Sequence, residues 1–80
     1  MTYTVVYYQG GALAGEWRRC APEASIEAAR SMRSMLMSMG YPAWINTTEW
    51  WDRAGLPSTP PVWWDFATLA PKADARMLVD

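Results

Sequence analysis

The sequence predicts an α+β fold, in which one amphipathic helix packs on one face of an antiparallel sheet of three to four strands, in the order β-β-α-β-β. Two observations indicate this class. The first is a run of β-branched and aromatic residues at 3–8, followed by glycine-rich turn residues at 9–15. The second is a helical repeat of apolar residues within 21–40. We expect one domain over residues 1–66 and a C-terminal tail over 67–80.

The first strand is predicted at residues 3–8 because β-branched and aromatic side chains favour an extended backbone. Successive side chains of a strand point to opposite faces, so Tyr7 and Tyr8 should lie on different faces of the sheet. Residues 9–15 supply the turn, and residues 16–20 can return as the antiparallel partner. These two strands make a β-hairpin.

The predicted helix lies within residues 21–40 and has about four turns. Ser25 suits the N-cap position, and Gly40 followed by Pro42 ends the helix. At about 100° per residue, one side of the helix collects most of the apolar side chains. These are Ala28, Ala29, Met32, Met35, Leu36 and Met39. We expect this side to face the core, and Met37, which lies towards the polar side, to be the exposed methionine.

The second half of the sequence predicts two more strands. Residues 43–51 form the third strand and residues 62–66 the fourth, which we expect to pair antiparallel with the third. Residues 52–61 join them as a loop, because they contain one glycine and three prolines. Within the tail, residues 77–79 either add a short strand or fray.

Aromatic residues are frequent, with six tryptophans, four tyrosines and one phenylalanine in 80 residues. Trp50-Trp51 and Trp63-Trp64 are pairs, and on a strand one ring of each pair must point away from the helix. Such outward rings either cover each other, are covered by the tail, or contact a partner or a second copy of the chain. We favour a contact surface, because Trp, Tyr and Arg are the residue types most enriched among binding hot spots. The predicted partner-binding residues are Trp50, Trp51, Trp63, Trp64, Tyr8 and Arg18.

Other features of the composition argue against catalysis and against a cofactor. The chain has no histidine, the side chain on which most general-base chemistry relies. Cys20 is the only cysteine, which excludes an intrachain disulfide and leaves no set of zinc ligands. We therefore expect a protein that is not an enzyme, with no catalytic, cofactor-binding or metal-binding residues.

The charges of the chain nearly balance, with seven basic and eight acidic residues. A protein that binds nucleic acid through its phosphates usually carries a basic excess, so we expect no direct nucleic-acid binding. Stacking of the tryptophans on single-stranded bases is the weaker alternative. No apolar run reaches the roughly 20 residues of a membrane span, and we expect a cytoplasmic protein with Cys20 reduced.

The layout of residues 1–48 resembles a known class of small proteins. Three segments carry the likeness: Gly15-Glu16-Trp17-Arg18-Arg19 in the hairpin, Ala21-Pro22-Glu23-Ala24-Ser25 before the helix and Met39-Gly40-Tyr41-Pro42-Ala43 after it. In size, composition and order of elements, the chain is similar to the anti-CRISPR inhibitors encoded by phages and other mobile elements. Among these it looks most like inhibitors of type I systems, such as type I-C.

The resemblance implies a protein that binds the crRNA-guided Cascade surveillance complex and sterically blocks target-DNA recognition or nuclease recruitment. It implies no catalytic residue. Several such inhibitors are strongly acidic, whereas this chain is nearly neutral, which favours docking by shape over mimicry of DNA. The alternative from a different class is a small structural or adaptor protein that forms a homodimer through the aromatic face of its sheet.

Overall fold

A computed structural model describes residues 1–72 and confirms the α+β class. In chain order the elements are β1 (Tyr3–Gly10), β2 (Gly15–Arg19), α1 (Ile26–Ser38), β3 (Ala43–Thr47), α2 (Thr48–Ala54), β4 (Trp64–Asp65) and β5 (Ala70–Pro71). The first three strands form an antiparallel sheet in the order β2-β1-β3, and β4 pairs with β5 in a separate small sheet. Neither helix within residues 1–72 has the length and apolar character that a membrane span needs.

The predicted hairpin of β1 and β2 is present, and its glycines set the position of the turn. Gly10 lies opposite Gly15, and the Gly11 N–H closes the turn by donating to the Ala14 carbonyl at 2.8 Å. Gly10 has a φ of +144°, and a Cβ at this position would lie 2.3 Å from the Gly15 Cα. Only glycine fits at position 10, which is where β1 ends and the turn begins.

Helix α1 has the caps that the sequence predicts. The Ser25 hydroxyl accepts a hydrogen bond from the Ala28 N–H at 3.1 Å, which satisfies one of the free N–H groups of the first turn. Gly40 follows the C-terminal end of the helix with a φ of +92°, and this left-handed backbone turns the chain towards β3.

The side of α1 that faces the sheet agrees with the predicted one at Ala29, Met32 and Leu36 and differs from it in the last turn. Ala29 and Leu36 are buried, as expected, but Met37 packs against the core, while Met35 and Met39 are 50% and 61% exposed. The prediction that Met37 is the exposed methionine is therefore wrong. Apolar side chains at positions 35, 36, 37 and 39 surround the last turns of the helix. The apolar pattern therefore could not define the rotation of α1 about its axis.

The third strand is shorter than predicted, because residues 48–54 form helix α2 instead of continuing it. The Thr47 hydroxyl accepts a hydrogen bond from the Trp50 N–H at 3.1 Å, which makes Thr47 the N-cap. Glu49 lies in the first turn, where the helix dipole favours an acid, and Gly55 with a φ of +75° ends the helix. These capping signals favour a helix and compete with the strand propensity of the tryptophans.

The prediction of a fourth strand at residues 62–66 that pairs with β3 is also wrong. Strand β4 is only two residues long and pairs with β5. The Asp65 carboxylate accepts a hydrogen bond from the Ala67 N–H at 2.9 Å, and Leu69 has a φ of +56°, so a tight turn reverses the chain directly after β4. The strand suggested at 77–79 lies outside the described residues.

Both faces of the main sheet are covered, which gives the protein two small cores. Helix α1 covers the first face, where the buried core residues are Val5, Ala29, Leu36, Ala43 and Ile45. Helix α2 and residues 55–66 cover the second face, where the buried core residues are Val6, Tyr8, Trp17 and Trp51, with Trp44 and Phe66 packed against them. Of the alternatives for the rings that point away from α1, the structure therefore favours cover by the chain itself on this face.

Candidate interaction surface

Three tryptophans meet where α2 packs on β3. Trp51 is 1% exposed, and its indole N–H donates to the Thr4 carbonyl of β1 at 3.0 Å. The rings of Trp44 and Trp50 both stand edge-on to Trp51, with centroid distances of 5.8 Å and 4.8 Å. Each such pair contributes about 0.5–1.5 kcal/mol beyond its buried area. The cluster therefore fixes α2 on the sheet.

Trp50 is the member of this cluster that reaches the surface. It remains 36% exposed although its ring packs on Trp51. Arg53 and Ala54, both exposed, line a shallow depression of about 300 Å³ together with Trp50. We call Trp50, Arg53 and Ala54 the Trp50 corner. It combines a large aromatic ring on a rigid base with an arginine, two residue types that are enriched among binding hot spots.

The sequence prediction does not include Arg53 and Ala54, because it places them in a loop at 52–61. The signal that identifies them is the pair of caps around α2, Thr47 before it and Gly55 after it. Once these residues are helical, the positions three and four residues after Trp50 share a face with it.

Three of the predicted partner-binding residues are buried by the chain itself. Tyr8, Trp51 and Trp64 are each at most 2% exposed. Tyr8, for example, packs edge-to-face with Trp17 and with Phe66, because residues that follow α2 fold over this face of the sheet. These three side chains therefore stabilise the folded chain and present no surface to a partner.

The two tryptophan pairs do not lie on two paired strands, which the predicted pairing of residues 62–66 with residues 43–51 requires. Trp50 and Trp51 belong to α2, whereas Trp63 precedes β4 and Trp64 is its first residue. Within each pair one ring is buried and the other is more exposed. In α2 the cause is the helical rotation of about 100° between neighbours, not the alternation of a strand.

Arg18 and Arg19 lie on opposite faces of β2. Arg18 is on the face that carries α1, and its guanidinium donates to Gln9 at 2.8 Å and to Glu16 at 2.5 Å. Arg19 is on the face that carries the tryptophans and forms an ion pair with Asp52 of α2 at 2.7 Å. Arg18 therefore does not share a face with the tryptophans, because the alternation of β2 brings Arg19 to that side instead.

Two ionisable side chains have pKa values set by local contacts. Cys20 is half-buried, and this burial, with the Glu23 carboxylate nearby, raises the pKa of its thiol. The pKa of Asp65 is lowered, chiefly by the hydrogen bond that its carboxylate accepts from the Ala67 N–H. No group of three or more Cys, Asp or Glu residues arranged to hold a metal ion occurs in the part of the chain that the structure describes.

Comparison of the chain with protein-family models, with curated proteins and with solved structures gives no significant match. Function therefore has to be inferred from the surface that the fold presents and from the layout of its elements.

Proposed function

We propose that this protein is a non-enzymatic inhibitor that docks through its Trp50 corner on a surface of another protein and blocks that surface sterically. The observation that supports this is the exposure of Trp50 on a helix whose neighbouring tryptophan, Trp51, is fully enclosed. An exposed aromatic ring keeps apolar area in contact with water, and a partner that covers this ring removes that area from water.

The corner is held in position before any partner arrives. The Thr47 hydroxyl binds the Trp50 N–H at 3.1 Å, and the indole of Trp51 binds the Thr4 carbonyl at 3.0 Å. Ordering a mobile side chain on binding costs about 0.5–1.5 kcal/mol, and much of this cost is absent for a ring that is already ordered. A small rigid surface can therefore bind tightly.

The charges around the corner favour docking by shape. Arg53 is basic, Glu49 and Asp52 on the same helix are acidic, and Asp52 is paired with Arg19. Neither sign dominates, as in the whole chain with its seven basic and eight acidic residues. An inhibitor that imitates DNA needs a strongly acidic surface, so occlusion of a protein surface fits this chain better.

The partner that we propose is the crRNA-guided Cascade complex of a type I CRISPR system, in the cytoplasm of the host cell. The support for this choice is the resemblance in layout of residues 1–48 to anti-CRISPR inhibitors. A protein docked on Cascade would prevent either recognition of target DNA or recruitment of the nuclease.

The test measures binding of the purified protein to purified type I Cascade complexes, type I-C included, by biolayer interferometry. We expect Trp50→Ala to weaken binding at least about 30-fold, which corresponds to a hot spot of about 2 kcal/mol, and Arg53→Ala to weaken it about tenfold. Leu13→Ala is the matched control, because Leu13 is fully exposed in the hairpin turn, away from α2. This control should bind like the wild type.

Two outcomes contradict the proposal in different ways. If no Cascade complex binds the protein and interference continues in its presence, the proposed partner is wrong. If a complex binds but Trp50→Ala binds equally well, the Trp50 corner is not the contact. Circular dichroism of each variant establishes that the fold is kept.

A homodimer through the aromatic face of the sheet is the other function that the sequence suggests. In the structure α2 and Phe66 cover that face, and Tyr8 and Trp51 are buried beneath them. A second copy of the chain would therefore have to use a different surface of the sheet.

A further inference from the structure

The two outer edges of the main sheet differ in accessibility. An outer strand carries backbone N–H and C=O groups on its free side and can pair there with a strand of another chain. In β3, Ala43 and Ile45 are fully buried, so this edge is closed to a partner. In β2, Gly15, Glu16, Arg18 and Arg19 are exposed, while Trp17 is 8% exposed because its ring packs on one face of the sheet. No strand within residues 1–72 pairs with the outer side of β2.

The hydrogen bonds of β2 show which of its backbone groups point outward. The Gly11 N–H donates to the Ala14 carbonyl at 2.8 Å, and the Cys20 N–H donates to the Val5 carbonyl at 2.9 Å. In an antiparallel pair these bonds recur at every second residue, so the even-numbered residues of β2 bond to β1. The outward groups belong to Gly15, Trp17 and Arg19.

A groove lies at the turn end of the hairpin, on the face that carries Tyr8 and Trp17. It has a volume of about 360 Å³ and lies between β2 and residues 56–60. Trp17 holds the far wall in place, because its indole N–H donates to the Thr59 carbonyl at 2.8 Å. At this edge the outward backbone groups of Gly15 and Arg19 therefore belong to exposed residues, and residues 56–60 pack against the Trp17 side chain between them.

We propose that a second copy of this chain pairs antiparallel with β2, with Trp17 of one copy opposite Trp17 of the other. Charge complementarity is the reason for choosing a second copy as the occupant. In this register Glu16 of each copy lies directly opposite Arg18 of the other, so two pairs of opposite charge form across the interface. The contact is isologous and closes as a twofold dimer, the commonest symmetry of soluble oligomers.

The same charges disfavour the two neighbouring registers in which the outward backbone groups of the two copies still face each other. One of them places Glu16 opposite Glu16, and the other places Arg18 opposite Arg18. Directly opposite residues lie about 4.5–5.5 Å apart at their Cβ atoms, so both registers bring like charges together. The Glu16-Trp17-Arg18 pattern is therefore self-complementary in one register only.

This dimer does not rest on the proposed inhibitor function and remains compatible with it. Antiparallel pairing of identical edges has its twofold axis perpendicular to the sheet, so equivalent faces of the two copies point the same way. Both α2 helices then lie on one side of a continuous sheet. The two Trp50 corners are left free and can engage a partner at two points, which raises the overall affinity.

Charge-exchange variants test the pairing. Light scattering from about 10 µM to about 1 mM should show the wild type moving from the monomer mass towards the dimer mass. Glu16→Arg and Arg18→Glu each place like charges across the axis and should raise the dimer Kd about tenfold. The double variant with both exchanges restores opposite charges and should dimerise like the wild type.

Amide hydrogen exchange of the wild type, measured by NMR, is independent of any variant. The outward Trp17 N–H should gain protection as the protein concentration rises, while the Arg18 N–H, which bonds to β1, should not change. Because Glu16 and Arg18 also form an ion pair within one chain, circular dichroism has to show that each variant keeps its fold. The proposal is overturned if the wild type stays monomeric at about 1 mM, if a single exchange leaves the dimer unchanged, or if the double exchange does not restore it.

Discussion

Trp51→Ala should destabilise the protein far more than Trp50→Ala, although the two residues are neighbours in the same helix. Trp51 is 1% exposed, whereas Trp50 is 36% exposed. Truncation of a buried tryptophan costs about 3–5 kcal/mol, from lost apolar burial and from the cavity that remains. Trp51 also loses its hydrogen bond to the Thr4 carbonyl, which contributes about 1 kcal/mol.

These costs are large relative to the stability of so small a protein. At about 0.05–0.15 kcal/mol per residue, a chain of 80 residues has an unfolding free energy of about 4–12 kcal/mol. A loss of about 4 kcal/mol by Trp51→Ala lowers the Tm by roughly 15–30 °C. Trp50→Ala loses one ring contact and part of its burial, about 1 kcal/mol, which lowers the Tm by roughly 5 °C.

Thermal and urea unfolding followed by far-UV circular dichroism measures both effects, because the midpoint of the transition can be compared between variants even where the removed tryptophan changes the amplitude of the signal. Trp51→Phe keeps most of the ring and removes the indole N–H, so it should cost about 1–2 kcal/mol. Equal destabilisation by Trp51→Ala and Trp50→Ala would refute the conclusion that α2 closes a second core on the sheet.

Three further predictions concern the turn, the cap and the acid limit of stability. Gly10→Ala should lower the free energy of unfolding, measured in urea, by about 1–3 kcal/mol, because the φ of +144° and the nearby Gly15 Cα leave no room for a Cβ. Gly11→Ala is the control and should cost little, because a Cβ at position 11 meets open space. Ser25→Ala should cost about 1 kcal/mol in the same assay by removing the N-cap bond. The pKa of Asp65 is lower in the folded protein than in the unfolded chain, so its carboxylate contributes stability above the pKa of the unfolded state. This stability is lost as the pH falls through the pKa of the folded state. Below about pH 4, the Tm of Asp65→Ala should therefore fall less steeply than that of the wild type.

The elements predicted correctly are those in which the local signals agree. The strand-forming residues at 3–8 are followed by glycines that suit a turn, and Ser25 and Gly40 define both ends of α1. The rotation of α1 could not be predicted in the same way. Apolar side chains surround its last turns, and only contact with the sheet selects Met37 over Met35 for the core.

Residues 48–54 carry two local signals that disagree. Threonine and tryptophan favour a strand, while Thr47 as N-cap and Gly55 as terminator favour a helix. A helix of seven residues is marginal in isolation, so local preference alone does not decide between the two. The helix is stabilised by packing of Trp51 beside Thr4 on the sheet, a contact between residues 47 positions apart. Such long-range contacts are not readable from a local pattern.

The high aromatic content has a structural cause that changes its meaning for function. A sheet covered on both faces needs two cores. A chain of 80 residues has little area with which to build them, and with one cysteine it has no intrachain disulfide to add stability. Large rings provide that area, since each buries about 150–250 Å² when enclosed, as Tyr8, Trp17 and Trp51 are. The number of aromatic residues is therefore no evidence for a binding surface. Trp50 is different, because Trp51 already fills the site on the sheet and Trp50 is not one of the buried residues of that core. For this reason Trp50 alone, rather than the aromatic content as a whole, supports the proposed contact with a partner.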